Sequence, residues 1–329
     1  MRTRRFIAII RRLTIKPLLA GLLIMLLPAY ASATNHWLAP LLQHHPLVGK
    51  IYSLEQQTFI SEAELFSQLQ KTPYVLVGEK HDNPDHHRLE EKILIALSSE
   101  APAHIVFEML TDEQQPLIST LHPNDTLKQM YQKLQWNGKG WPWNDYGPLI
   151  NTAVQQGASI TAGNISSALL KKIYQQGSTA AELATSRFNS MLSIPRMVRE
   201  KILDQVYQSH CETMPKDQLT PMLNIQLARD ASMAHAMISD VQTEETQRPS
   251  ILIAGSFHTQ KNIGVPLHLS QLTRQRIKTL RLTEVSETDE NPGDYATSLE
   301  ADYIWFTPKQ LDIDYCAGLR AKTARQPEP

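Results

Sequence analysis

The chain has 329 residues, with 32 basic and 33 acidic side chains and 42% hydrophobic composition, enough for a substantial core. Its first 33 residues hold six of the basic groups and no acidic one, which leaves 26 basic against 33 acidic groups and a formal net charge of −7. That balance argues against a nucleic-acid partner, which needs a basic footprint to neutralise phosphates.

Arg2, Arg4, Arg5, Arg11, Arg12 and Lys16 precede an apolar run, Pro17 to Leu27, too short to span a bilayer, and Ala31-Ser32-Ala33 has the form of a cleavage site. Residues 1–33 therefore read as a secretory signal peptide. The arginine pairs leave the twin-arginine route open beside ordinary secretion. No Cys lies near the cleavage point, so no lipid anchor is expected. Cys211 and Cys316 are the two cysteines. In an oxidising compartment they either form one long-range disulfide or remain two buried thiols, and neither belongs to a C-x-x-C pattern.

Residues 34–73 form a leading segment in which Phe59 to Leu69 has helical apolar spacing, with Ser61 as N-cap. Tyr74 to Val77 is a buried strand that ends at Gly78 and runs into Glu79-Lys80-His81-Asp82-Asn83. Pro84 marks a helix start, and His86 to Leu97 is amphipathic. His104 to Phe107 is the next strand, with Glu108 at its end. Two short helices follow, Asp112 to Leu121 and Asp125 to Trp136, and then a Trp-rich loop from Trp136 to Pro148.

Leu149 to Gln156 is helical, Ser159 to Ala162 is a strand ending at Gly163-Asn164, and Ser166 to Gln176 is a helix. Residues 178–243 contain no convincing strand and read as a helical insertion whose main element is Leu219 to Val241. Ser250 to Ala254 returns to the sheet, Val265 to Leu272 is a helix, and Arg276 to Leu282 and Asp302 to Phe306 are late strands. The alternation predicts an α/β domain over residues 34–320, with a mostly parallel sheet flanked by helices and a polar, disordered tail at 321–329.

The chain twice writes an apolar strand followed by G-x-x-H, at Gly78 to His81 and at Gly255 to His258. In a parallel sheet, ligands bind beyond the carboxyl ends of the strands, and here those ends carry Glu79, His81, Glu108, Asn164 and His258. Carboxylates with imidazoles suit a first-row metal, or a haem edge where imidazole gives hydrogen bonds. Bland readings stand beside these. Glu108 fits a satisfied buried carboxylate, Asn164 a helix cap, and His86 and His87 a solvated first turn.

Together, G-E-K-H-D-N-P-x-H-H, the F-E-M-L strand end, W-N-D-Y-G-P-L-I, A-G-N, Q-L-A-R-D-x-x-M-A and A-G-S-F-H-x-x-x-x-I-G-V-P resemble the ChaN-like, iron-regulated haem-binding proteins of the Tiki superfamily. The resemblance covers roughly Pro73 to Leu272. It implies an exported α/β protein that holds haem through a tyrosine, with two stacked haems at a dimer interface. On that basis Tyr146, inside a matching motif, is the first choice as iron ligand, with Tyr303 and Tyr131 behind it. His81 or His258 would assist by hydrogen bonding, and Lys80 or Arg88 would meet propionates. Unlike the lipoprotein members of that group, this chain has no lipobox cysteine, so a soluble periplasmic protein is expected.

The expected role is haem binding in iron or haem acquisition or storage, without catalysis. Expected partners are haem, a second copy of the chain on haem binding, and components of a haem receptor or transporter. The tryptophans of residues 136–146 either line that dimer interface or pack inward. The alternative is a metal-dependent hydrolase of the Tiki or erythromycin-esterase kind, built on Glu79, His81, Glu108 and His258.

Overall fold

The computed structural model describes residues 36–138, 140–239, 248–297 and 299–317. The expected leader and the expected polar tail lie outside them.

The chain opens with two three-residue strands, β1 (Ile51–Ser53) and β2 (Thr58–Ile60), and helix α1 (Glu62–Gln70). Then come β3 (Tyr74–Glu79), α2 (Pro84–Leu97), β4 (His104–Thr111), α3 (Gln115–Ile118), α4 (Leu127–Lys133) and α5 (Trp143–Gln155). β5 (Ser159–Asn164) and α6 (Ser167–Gln176) lead into a helical stretch with α7 (Arg196–Ser209) and α8 (Thr220–Ile238). β6 (Ser250–Gly255), the single turn α9 (Ser256–Thr259), α10 (Val265–Leu272), β7 (Ile277–Glu284) and β8 (Tyr303–Thr307) complete the described chain.

All eight strands join one sheet in the order β2-β1-β8-β7-β3-β6-β4-β5. The pairings from β8 through β5 are parallel, and β1 is antiparallel to both its neighbours. This is the mostly parallel α/β sheet that the alternation predicts. Because side chains alternate across a strand, β3, β4 and β6 feed two separate cores. Val75, Val77, Ile105, Phe107, Ile251 and Ile253 pack with Ile93 of α2 and Leu149 of α5 on one face. Leu76, Val106, Leu252 and Ala254 pack with Met233 and Met237 of α8 and Leu269 of α10 on the other. A further cluster, with Ile173, Ile202, Leu219 and Leu227, lies within the helical stretch.

Three local expectations change. The leading segment holds an antiparallel hairpin: Phe59 pairs with Tyr52, their rings 5.2 Å apart edge to face, so the helix starts only at Glu62. Ser61 does cap it, accepting from the Glu64 amide at 3.1 Å. Residues 143–148 are the first turns of α5, with Pro148 inside the helix. Pro148 is the sixth residue of the helix, so it removes one i to i−4 hydrogen bond, the one to the Asn144 carbonyl. The Trp143 indole then lies on the helix backbone, where a Cβ at Gly147 would come within 2.5 Å of it.

The third change concerns His86 and His87, which are buried instead of solvated. Asn83 caps α2 and docks its amide on Glu284 (2.9 Å) and the Pro308 carbonyl (3.0 Å), which draws the first turn under the strand ends. His86 accepts the Lys80 amide at 2.8 Å and meets Thr307 Oγ1 at 2.9 Å. Burial pushes its pKa down to about 3, so it stays neutral. Of the two alternatives for the cysteines, the structure takes the disulfide: Cys211 and Cys316 are bonded across a separation of 105 residues.

Candidate functional site

Adjacent β3 and β6 run parallel in a register that sets Gly78 beside Ala254 and Glu79 beside Gly255, so the two G-x-x-H motifs meet. Each glycine makes room for the other motif. A Cβ on Gly255 would lie 2.6 Å from His81 Nε2, and a Cβ on Gly78 would lie 2.1 Å from Thr259 Oγ1. The residue type is required by close approach rather than by a left-handed backbone.

Above this junction the titratable side chains form two networks. In the first, Glu79 Oε1 accepts from the Tyr146 hydroxyl at 2.9 Å and lies 2.9 Å from His81 Nδ1, which is 3.2 Å from the same hydroxyl. Burial opposes the Glu79 charge, yet the hydrogen bond from His81 and the charges of His81 and His87 outweigh it and hold the carboxyl down at about 2. Burial likewise opposes the His81 charge, and Glu79 outweighs it and raises the imidazole. The His81 side chain keeps 41% of its surface exposed.

On the far side of Glu79 lie two residues of α2, one turn apart. His87 Nε2 is 2.9 Å from Glu79 Oε2, but the contact is off the ring N–H direction and neither atom is hydrogen-bonded. Glu90 is fully buried and both its oxygens lack partners. Burial, then the charge of Glu79, raises its carboxyl well above the ordinary range.

The second network belongs to β4, α8 and β6. β4 leaves register with β5 after Phe107, and Glu108 turns at that irregularity to take the Gly255 amide on Oε2 at 2.8 Å. His258 stands between Asp230, 2.6 Å from Nδ1, and Glu108, 3.3 Å from Nε2, with the Gln226 amide 2.9 Å from Nδ1. Burial works against the imidazolium, but the two carboxylates prevail and lift its pKa to about 10. His258 in turn holds Glu108 below the carboxylate range against burial.

The sequence candidates are thus brought to one end of the sheet, but not into one cage. Of the four residues in the hydrolase reading, Glu79 pairs with His81 at 2.9 Å and Glu108 with His258 at 3.3 Å, so they stand as two pairs. Asn164 spends its side chain on backbone, donating to the Glu108 carbonyl at 3.1 Å and accepting from the Ile165 amide at 2.9 Å. Lys80 is tied to Glu284 at 2.9 Å, and Arg88 to the His36 carbonyl at 2.6 Å.

Among the tyrosines, Tyr146 is 0% exposed, and burial, followed by the charges of Glu79 and Glu90, drives its phenol far above the ordinary range. Tyr303 begins β8, at the opposite end of the sheet from the site, and donates to Gln68. Tyr131 is 39% exposed and packs edge-on against Trp143.

A cleft of about 320 Å³ opens beside these networks, lined by Met109, Gln114, Trp136, Trp141, Asn164 and Arg229 among others. Trp136 and Trp143 pack against each other and the core. Trp141 is half-buried and lies edge-on to both His81 (4.8 Å) and Tyr146 (5.6 Å), so it joins the cleft wall to the first network. The Arg229 Nε is buried without a partner. Glu90 escaped the sequence reading, His87 was read as solvated, and Gln226 and Arg229 stood inside the quoted Q-L-A-R-D motif without a role. The signal for Glu90 was its spacing, three residues from His87 on one helix.

No curated protein matches the chain. Among solved structures it is similar to ChaN of Campylobacter jejuni with cofacial haem, at 24% identity and a TM-score of 0.62, over 78% of this chain and 95% of that one. It is more remotely similar to the type III effector HopBA1, at 12% identity and a TM-score of 0.40, over 75% of this chain and 92% of that one. A toxin effector domain from Vibrio vulnificus follows at 15% identity and a TM-score of 0.39, over 80% of this chain and 41% of that one. Residues 65–269 match a protein family, and the chain belongs to it: haem-binding uptake, Tiki superfamily, ChaN.

Proposed function

We propose that this chain is an exported haem-binding protein that serves iron or haem acquisition or storage. The observation that carries the reading is the position of Trp141. It is at once the wall of the cleft and the cover of the His81–Tyr146 pair. Tryptophans and Arg229 line the cleft, and through Trp141 its wall reaches the half-exposed His81 imidazole, 4.8 Å from the indole. These are the groups a porphyrin needs: apolar contact, an iron ligand and a cation for carboxylates. Haem bound there would supply a ferric iron, which a side chain of this site would hold.

His81 Nε2 is the donor we assign, because Nδ1 is engaged with Glu79 and Tyr146 while Nε2 makes no hydrogen bond. Tyr146 supports it from behind, since a buried phenol surrounded by carboxylates resists forming the phenolate an iron would want. A cleft of about 320 Å³ is too small to surround a porphyrin, so a second copy of the chain is the proposed cover for the outer face. The disulfide supports an oxidising compartment, the periplasm, as the place of work. A haem receptor or transporter is the proposed outside partner.

Purified apo-protein titrated with haemin is expected to develop a Soret band with one-to-one stoichiometry per chain. His81→Ala should shift or abolish that band, Arg229→Gln should weaken binding about 10-fold, and sedimentation should show a dimer that tightens with haem. Haemin that binds without saturation, with a spectrum indifferent to both variants, would remove the reading. A band lost in Tyr146→Phe but kept in His81→Ala would return the ligand to the tyrosine.

A further inference from the structure

The geometry points to a second, buried site that binds a divalent first-row transition-metal ion through Glu79, His87 and Glu90. It does not depend on the haem reading.

One ligand atom from each of the three residues lies within 4.8 Å of the others. Glu79 and Glu90 are essentially fully buried and His87 is nearly so. Such a place is expensive for polar atoms unless each is partnered. Yet Glu79 Oε2, His87 Nε2 and both oxygens of Glu90 have no hydrogen bond. Four such atoms converge at one point in a dry interior. Glu79 Oε1, on the same carboxylate, takes two partners.

The backbone prepares this arrangement. His87 and Glu90 stand three apart on α2, so both project from one face of the helix, as Glu-x-x-His pairs do in helical metal sites. Glu79 is the last residue of β3, and the capped start of α2 is held under that strand end by Asn83. The 2.9 Å between Glu79 Oε2 and His87 Nε2 is too poorly aligned for a hydrogen bond. It does match two neighbouring donors at about 2.1 Å from one ion, whose separation is about 3 Å. Tyr146, bonded to Glu79 Oε1 and edge-on to the His87 ring at 5.0 Å, orients both ligands from outside.

Two carboxylates and one imidazole select the ion class. An imidazole disfavours calcium and magnesium, and the lack of a thiolate among the three ligands disfavours copper(I), which leaves the divalent first-row transition metals, zinc and manganese among them.

The test uses the full chain, stripped with chelator and then dialysed against Zn²⁺ or Mn²⁺. About one equivalent should be retained, with a rise in Tm on loading. Glu90→Gln, which keeps the side-chain shape, should cut affinity at least about 10-fold while its far-UV circular dichroism and haemin titration stay as in the parent. Pulsed EPR of the Mn²⁺ form of the parent should show coupling to a single imidazole nitrogen, lost in His87→Gln. A parent that retains no ion, an ion retained equally by Glu90→Gln, or an Mn²⁺ signal without nitrogen coupling overturns the proposal. The EPR on the parent decides even if the variants fail to fold.

Discussion

Replacing His258 by glutamine removes the one cation between two buried carboxylates. His258 is held by Asp230 at 2.6 Å and Glu108 at 3.3 Å, with the partly exposed His81 as the other imidazole facing Glu108. A pKa raised from 6.5 to about 10 corresponds to about 5 kcal/mol at 1.36 kcal/mol per unit. Removing one partner of a buried pair costs about 3–5 kcal/mol, and we take the lower end. At about 1.5–2 °C per kcal/mol for a chain of roughly 300 residues, Tm at pH 7 should fall by about 4–6 °C.

The pH dependence has a definite sign. His258 is raised in the folded state, so its contribution is complete below pH 6.5 and disappears as pH rises through 10. Glu108 is lowered, so its contribution is complete above its ordinary value of 4.5 and is lost on acidification. The parent should therefore lose stability between pH 7 and 10, and the variant should lack that alkaline decline. In acid the variant should recover part of its deficit, because its two carboxylates then take up protons. Thermal melts followed by circular dichroism from pH 4.5 to 10 read all of this. A variant within 2 °C of the parent at pH 7 (roughly the shift for 1 kcal/mol), or one that keeps the alkaline decline, would refute the reasoning.

Gly255→Ala should act on His81 alone, since the backbone there has φ of −57° and accepts a side chain. The new methyl meets the imidazole at 2.6 Å, so the half-exposed ring swings away, the Soret response drops, and stability falls by only about 1–3 kcal/mol. Gly78→Ala should cost more, because its Cβ also meets the Ser256 backbone at 3.1 Å, which cannot swing aside; comparative melts separate the two. Reducing the disulfide, or replacing Cys211 and Cys316 by serine, reopens a loop of 105 residues and should cost about 4–5 kcal/mol, seen as a lower urea midpoint.

The parallel centre of the sheet was readable because β3, β4 and β6 are buried on both faces and therefore unbroken apolar runs. The repeated G-x-x-H located the site for the same reason, since two matching strand ends in one sheet must lie at the same edge. β1 and β2 were not readable: three residues give no periodicity, and Phe59 fits a helix stripe as well as a hairpin pair. His87 and Glu90 were hidden by their address, because polar residues in the first turns of a helix ordinarily face water. Only the docking of Asn83 on Glu284 and Pro308, more than 200 residues away, puts them inside. Tyr146 was placed in the right neighbourhood by its motif, but its depth depends on Trp141, which sequence left in a loop.

The disulfide has a consequence for the order in which the site is completed. Cys316 adjoins Tyr315, whose hydroxyl donates to Asp82 in the loop that also carries His81. The Gln310 side chain reaches the Asp82 carbonyl of that loop at 3.2 Å, and its amide donates to Glu284, which holds Lys80 and Asn83. The stretch that clasps the first G-x-x-H loop is thus pinned to the helical stretch only once Cys211 and Cys316 are oxidised. A chain that has folded its sheet but not closed this bond would have the site's residues in place and its loop unfastened, so oxidation is the step that fastens the candidate site.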